Sequence, residues 1–446
     1  MHAAVLSAET PHGGHGGLAA GSVGGRVHER KPIRVLHLSY DGIQSAFESQ
    51  TLGLVRALRK ADVQAHVAVF TQPSAGAWRE AVMPRVSDME APCHVFLRPP
   101  FLGRVNLHLA CLQATPLVRR LCRDGQPMVL HCRGQMGTCL GLLIQAACRP
   151  QCIGVVGDIR GLLAEEIDVL AGNRATASRW RNEAAAKMRA RRVTLAREFE
   201  AEACAKSDAV VCVSQALKAH LMRVHDTAAS RIAVVPTCTS FRLPPPAEQA
   251  RRHASAKSRL GLEIQPVIAY CGSMHPWQQP DDIARAFLAC RDVHEGAHLL
   301  VLSAPRDVAI SALTRHGVLE HDCTILDVPH RAVPDLLAAA DAGLLLRRPS
   351  VVNRVASPIK FAEYIAAGVP VIASRGIGDL DEIIPTHGLG ALVDDPAEAA
   401  VVLGNLSLDH HGATEVLQRY FSWPRAVERL LGVYETAVPA AQKRSR

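Results

Sequence analysis

Two residues three apart, Lys360 and Glu363, stand in the segment SPIKFAEYIAAGVPVI (357–372), where Ser357 followed by Pro358 reads as the start of a helix. At that spacing the cation and the carboxylate project from one helix face. On an open surface they would be a solvated pair; beside a cleft flanked by apolar strands they can meet a ligand. Arg354 supplies a second candidate cation just before them, and Gly272–Ser273, in the loop AYCGSMHPWQ, allows backbone to approach an anion closely. Nearer the N-terminus, Arg133 lies in LHCRG, Asp158 and Arg160 in GDIRG, and Asp41 and Gly42 in SYDGIQ. Asp158 and Arg160 either orient ligand hydroxyls or form a structural ion pair, and both readings stay open. His131 reads as a core histidine.

Several chemistries lose their sequence support. The loop after the first predicted strand, SYDGIQSAFESQ, has one glycine and not G-x-G-x-x-G, and no Walker sequence, H-E-x-x-H or G-x-S-x-G is present.

The elements that must position these residues are legible as alternating buried strands and helices. IRVLHLS (33–39) is a strand, Gln50–Lys60 carries helical spacing, and AHVAVF (65–70) is strand again: a βαβ unit. Buried runs recur at Met128–Cys132, Cys152–Val156 and Ala209–Val213. A Pro-rich, charged stretch follows Phe241, after which strands are predicted at Pro266–Cys271, His298–Ser303, Thr324–Leu326, Gly343–Leu346 and Pro370–Ala373. Helices are predicted at Asp281–Cys290, Val333–Ala340, Ile359–Ala367 and Trp423–Val438. The expected class is α/β, with two doubly wound Rossmann-like domains facing a cleft. The expected divisions are a disordered leader (1–31), a first domain (32–240), a linker (241–262), a second domain (263–420), and a C-terminal helix with a basic tail (421–446). Ligands of such sheets bind at the carboxyl ends of the strands.

These segments resemble retaining GT-B glycosyltransferases of the group 1, family 4 type. SPIKFAEYIAAGVPVI is similar to the family's donor-binding segment, SYDGIQSAFESQTLGLVRAL to its first βα unit, and GDIRGLLAEE to its Asp-x-Arg-Gly segment. VCVSQALKAHL, VVPTCTSFR and AYCGSMHPWQ follow in the family's order. The resemblance implies transfer of a sugar, with retention, from a nucleotide sugar (UDP- or GDP-linked) to a glycan or lipid-linked acceptor. It implies no metal and no cofactor beyond that co-substrate. Glu363 would hold the ribose, and Gly272, Ser273, Arg354, Ser357, Pro358 and Lys360 would complete the donor site. Asp41, Gly42, Arg133, Asp158 and Arg160 would face the acceptor, with Asp158, Arg160 and Lys360 the catalytic candidates. The chain departs from the pattern where many members carry a second glutamate, eight residues before Glu363; here that position is Val355. The cations usual after the Gly-Ser loop are also missing. Alternatives are an epimerase or phosphorylase of the same architecture, or a catalytically silent sugar-nucleotide-binding partner.

Composition sets the remaining bounds. Among 446 residues, 50 Lys+Arg against 42 Asp+Glu give +8, a balance that suits phosphorylated ligands, anionic lipid headgroups or nucleic acid alike. Aromatics at 4% disfavour a reader of single-stranded nucleic acid, and no nucleic-acid partner is expected. No apolar run is long enough to span a bilayer, and the N-terminus lacks the regions of a signal peptide. Thirteen cysteines without a C-x-x-C pair or a regular framework fit reduced thiols. The expectation is a cytoplasmic protein, peripheral on the inner membrane face if the basic stretch Arg179–Arg197 meets anionic lipid rather than water.

Overall fold

The computed structural model describes residues 33–40, 47–71, 91–98, 103–149, 152–171, 179–275 and 278–445. The expected leader, Asp41, Gly42, Trp277 and Arg446 lie outside them.

Two all-parallel sheets are present. The first contains β1 (Arg34–Ser39), β2 (Gln64–Thr71), β3 (Cys93–Leu97), β4 (Met128–Arg133), β5 (Ile153–Ile159), β6 (Ala209–Cys212) and β7 (Ile232–Val234), in the order β3-β2-β1-β4-β5-β6-β7. The second contains β8 (Val267–Cys271), β9 (His298–Leu302), β10 (Cys323–Leu326), β11 (Ala342–Leu345), β12 (Val371–Ser374) and β13 (Gly390–Val393), in the order β10-β9-β8-β11-β12-β13. Each order reverses once, between β1 and β4 and between β8 and β11, and these are the topological switch points where ligands of doubly wound sheets bind. Register aligns the functional ends: Ser39 pairs with Arg133, and Arg133 with Asp158.

The Pro-rich stretch expected as a linker is largely a helix, Pro246–Leu260. Pro246 occupies its first turn, Ala-, Glu-, Gln- and Arg-rich sequence sustains it, and left-handed Gly261 (φ 67°) ends it. It is tied to the second half, where Lys257 Nζ bonds Asp341 Oδ2 at 2.8 Å and Gln249 Nε2 donates to the Gly368 carbonyl at 2.7 Å.

The last helix, Trp423–Ser445, returns to the first sheet. Its buried face presents Trp423, Val427, Leu430 and Tyr434 at helical spacing to a core shared with Val35, Val129 and Val156. Burying each large apolar side chain contributes roughly 1.5–3 kcal/mol, which is why the chain crosses back. Tyr434 Oη also meets His131 Nδ1 at 2.9 Å. The two passages between the halves run side by side: Thr239 forms a β-bridge with Ser422, and the Thr239 amide donates to the Phe421 carbonyl at 3.0 Å.

Other contacts join the halves near the cleft. Ser214 Oγ donates to the Val355 carbonyl at 2.7 Å, and the Thr237 amide donates to Ser357 Oγ at 3.2 Å. Val355, 2% exposed, packs in a cluster with Ile159, Leu162, Val213 and Leu217 of the first half. Val355, where the resemblance implied that a second glutamate could stand, is therefore used here to seat one half on the other.

Candidate functional site

The helix Ile359–Ala366 carries both Lys360 and Glu363 at the second switch point. Tyr364 fixes it there. Its hydroxyl accepts from the Cys271 amide at 2.9 Å and donates to the Leu344 carbonyl at 3.2 Å, so one side chain bridges the ends of β8 and β11. The helix start expected at Ser357 shifts by one residue. Pro358 takes the cap position, without a side-chain cap, because Ser357 Oγ is engaged by Thr237 of the first half.

Lys360 extends across Gly272, where a Cβ would overlap both Cε and Nζ; only glycine, at φ 140°, leaves room. Nζ donates to Tyr270 Oη at 2.9 Å and to Gln278 Oε1 at 2.6 Å, and stands 4.4 Å from the Tyr270 ring centroid. Tyr270 Oη donates onward to the Ser273 carbonyl at 2.8 Å. The Gly272–Ser273 loop and Lys360 are thus one unit. Removal from water, and then the charge of Arg347, push the Lys360 ammonium down to about 7. Burial likewise lowers Arg347.

Arg347, two residues beyond the end of β11, is the residue that sequence reasoning did not place first. Its Nη1 reaches Asn353 Oδ1 at 3.3 Å, and no ion pair with a described residue compensates it. Arg348, its neighbour, is instead held by Asp281 and Asp282 of the Pro280–Val293 helix. Arg354 is exposed and makes no ion pair among the described residues. Two part-buried cations, Arg347 and Lys360, therefore stand together without a carboxylate partner of their own, an arrangement that attracts an anion.

Glu363 is 4% exposed, and its Oε1 meets His330 Nε2 at 2.7 Å. The His330 ring stacks on Phe241, with centroids 4.8 Å apart. Neither aromatic is singled out by the sequence: Phe241 lies in VVPTCTSFR without an assigned role, and His330 lies in a segment without periodicity.

On the first sheet Asp158 is fully buried. Its Oδ2 accepts from Arg160 Nε at 2.8 Å and lies 3.4 Å from His131 Nε2. Burial acts to raise this carboxyl, but Arg160, His131 and Arg133 outweigh it and hold it far below the usual carboxylate range. Arg160 keeps some exposure, and its Nη1 lies 3.5 Å from Gln50 Oε1, while Gln50 Nε2 donates to the Cys238 carbonyl at 3.0 Å. Among the described residues no hydrogen bond joins the Asp158–Arg160 pair directly to Lys360 or Glu363.

His37, His131 and Asp158 place three ligand-type atoms within 4.8 Å of one another, all buried. Burial, then His131 and Arg133, depress His37 well below its ordinary value, so it is neutral. The guanidiniums of Arg133 and Arg160 beside the cluster oppose a further cation there. Asp379 and Asp381, which form an Asp-x-Asp pair, are also committed. Asp379 accepts from the Gln215 and Ala216 amides at 2.9 and 3.3 Å, and Asp381 from the Gly376 amide at 2.9 Å.

Comparison with known proteins agrees with this layout. Residues 48–240 match the family described as Glycosyltransferase Family 4, and residues 265–409 match Glycosyl transferases group 1. D-inositol 3-phosphate glycosyltransferase of Acidothermus cellulolyticus is 27% identical over 259 residues, covering 54% of this chain and 55% of that protein. The enzyme of the same name from Salinispora arenicola is 30% identical over 260 residues, 54% of this chain and 57% of its own. The chain spans about half the length of the curated relatives it matches. Among solved structures, Anabaena Alr3699/HepE in complex with UDP and glucose superposes with a TM-score of 0.64 at 15% identity, covering 90% of this chain and 99% of that one. With both halves matched in order, and two Rossmann-like sheets carrying their charged residues at the switch points, the chain belongs to the group 1, family 4 glycosyltransferases of GT-B fold.

Proposed function

We propose that the protein transfers a sugar from a nucleotide-sugar donor to a glycan or lipid-linked acceptor, with retention and without a metal ion. The observation that carries this reading is that Lys360 and Arg347, neither of them ion-paired with a described residue, feel each other's charge, while Lys360 lies one helical turn from the buried carboxylate of Glu363. The diphosphate lies against the two cations and the N-terminal amides of the Ile359–Ala366 helix, with Gly272 admitting the backbone. The ribose hydroxyls reach Glu363, whose other partner, His330, keeps the carboxylate oriented. As the glycosidic bond breaks, negative charge grows on the phosphate oxygens and is met by donors already in place. The acceptor hydroxyl attacks from the same face, and no enzyme carboxylate serves as nucleophile. Arg160, held by the buried Asp158, and Arg133 orient the acceptor side; Asp158 acts through Arg160 as a positioning residue.

Incubation with UDP- and GDP-sugars tests the reading. Nucleoside diphosphate released only when acceptor is present supports it. An altered sugar released without acceptor would make the protein an epimerase, and binding without turnover would make it a silent partner. Turnover is expected to survive EDTA; loss restored by Mn²⁺ or Mg²⁺ would overturn the metal-free mechanism.

Glu363→Ala is expected to weaken nucleotide binding about tenfold or more while leaving the melting transition cooperative. Two charge-assisted hydrogen bonds of roughly 1.5–3 kcal/mol each are lost from a site shielded from water. Unchanged affinity by calorimetry would remove Glu363 from the site.

A further inference from the structure

Away from the donor cleft, a cavity of about 680 Å³ opens where the two passages between the halves run side by side. Its walls are the Gly53–Lys60 helix, the Thr239–Arg242 segment and the first turns of the Trp423–Ser445 helix. The floor is apolar: Trp423, Val427, Leu431, Phe241 and Ala57 line it. The polar edge of Trp423 is already satisfied, since Nε1 donates to Ser240 Oγ at 3.1 Å, so its ring can face an apolar ligand.

The rim is cationic. Arg56 and Lys60 lie four apart on one helix, where like charges repel, and Arg242 adds a third charge from the crossing segment. All three are exposed and make no ion pair with a described residue. The acid in the lining, Glu428, is held by Arg425. A half-open apolar floor under a basic rim without ion-pair partners among the described residues has the size and composition of a ligand site.

We propose that this cavity binds an amphipathic anion: a phosphate or carboxylate head at Arg56, Lys60 and Arg242, with an aliphatic or aromatic body over Trp423 and Val427. The site is separate from the nucleotide site and does not depend on the transferase reading. It touches that site through Phe241, which lines this cavity and also stacks on His330, the partner of Glu363.

Calorimetry on the full chain with decyl phosphate, below the concentration at which it forms micelles, tests the proposal. One saturable site per chain is expected, with decanol and inorganic phosphate each binding at least tenfold more weakly. Ala57→Trp, which fills the cavity, and the double variant Arg56→Glu/Lys60→Glu, which reverses the rim, should each weaken decyl phosphate at least tenfold. Thermal melts establish that both fold, and Arg242→Glu serves if either does not. Vesicles of phosphatidylglycerol and phosphatidylcholine separate the sources. Binding to the anionic vesicles that Ala57→Trp abolishes assigns the site to a lipid; free decyl phosphate bound without vesicle binding assigns it to a soluble acid. No binding, equal affinity for inorganic phosphate, or unchanged affinity in the variants would overturn the proposal. UDP titration of the same samples reports on the donor site separately.

Discussion

Lys360→Ala is expected to lower kcat a hundredfold or more, beyond the loss of donor affinity that its charge supplies. A departing diphosphate in a cleft shielded from water needs positive charge, and the residues described after β8, Gly272 to His275, include no lysine or arginine. Lys360 is already aimed, because Tyr270 and Gln278 fix Nζ over Gly272 at the start of the helix that carries Glu363. Its contact strengthens as charge moves onto the leaving oxygen, so its loss falls on the chemical step as well as on binding. A factor of about a hundred or more is what removing one such stabiliser costs. Lys360→Gln should do little better, since it restores reach without charge. Measured kcat and KM for both variants check the expectation. A wild-type rate in Lys360→Ala would pass the role to Arg347, the other part-buried cation of the pair.

How much of this was legible in sequence depended on how each residue is positioned. The central strands are covered by helices on both faces, so β1, β4, β8 and β11 read as near-continuous apolar runs. Three of the four edge strands give no such run, while the fourth, β10, is legible at Thr324–Leu326. Cys93–Leu97 alternates partly exposed residues, Ile232–Val234 is three residues long, and Gly390–Val393 is largely half-buried. Lys360 and Glu363 could be read together because one helix carries both. Their partners could not: Tyr270 and Gln278 are 90 and 82 residues from Lys360, and His330 is 33 from Glu363. Strand order alone brings them together. Ser357 was misplaced for a related reason, since its hydroxyl answers to Thr237 across the junction and not to its own helix.

Donor affinity should fall steeply with rising pH just above neutrality, and this follows from the same lysine. In the ligand-free protein Lys360 sits at about 7, below its ordinary 10.5, because burial and Arg347 disfavour the charged form. A bound diphosphate reverses that balance and draws the proton back. Binding above pH 7 therefore takes up one proton, and affinity drops by up to a factor of about ten per pH unit. Between pH 7 and 8.5 the dissociation constant of the nucleotide sugar should rise by up to about sixteenfold, since half of Lys360 is already uncharged at pH 7. The stability of the free protein has the opposite sign. Between about 7 and 10.5 the unfolded chain binds the proton that folded Lys360 has lost, so this residue makes the fold more stable as pH rises. Calorimetry in two buffers of different ionisation enthalpy measures the uptake, and melting curves across the same range measure the stability. Lys360→Gln should flatten both profiles at once. A nucleotide-sugar affinity as steep in Lys360→Gln as in the wild type would show that another group takes up the proton and that Lys360 is not against the diphosphate.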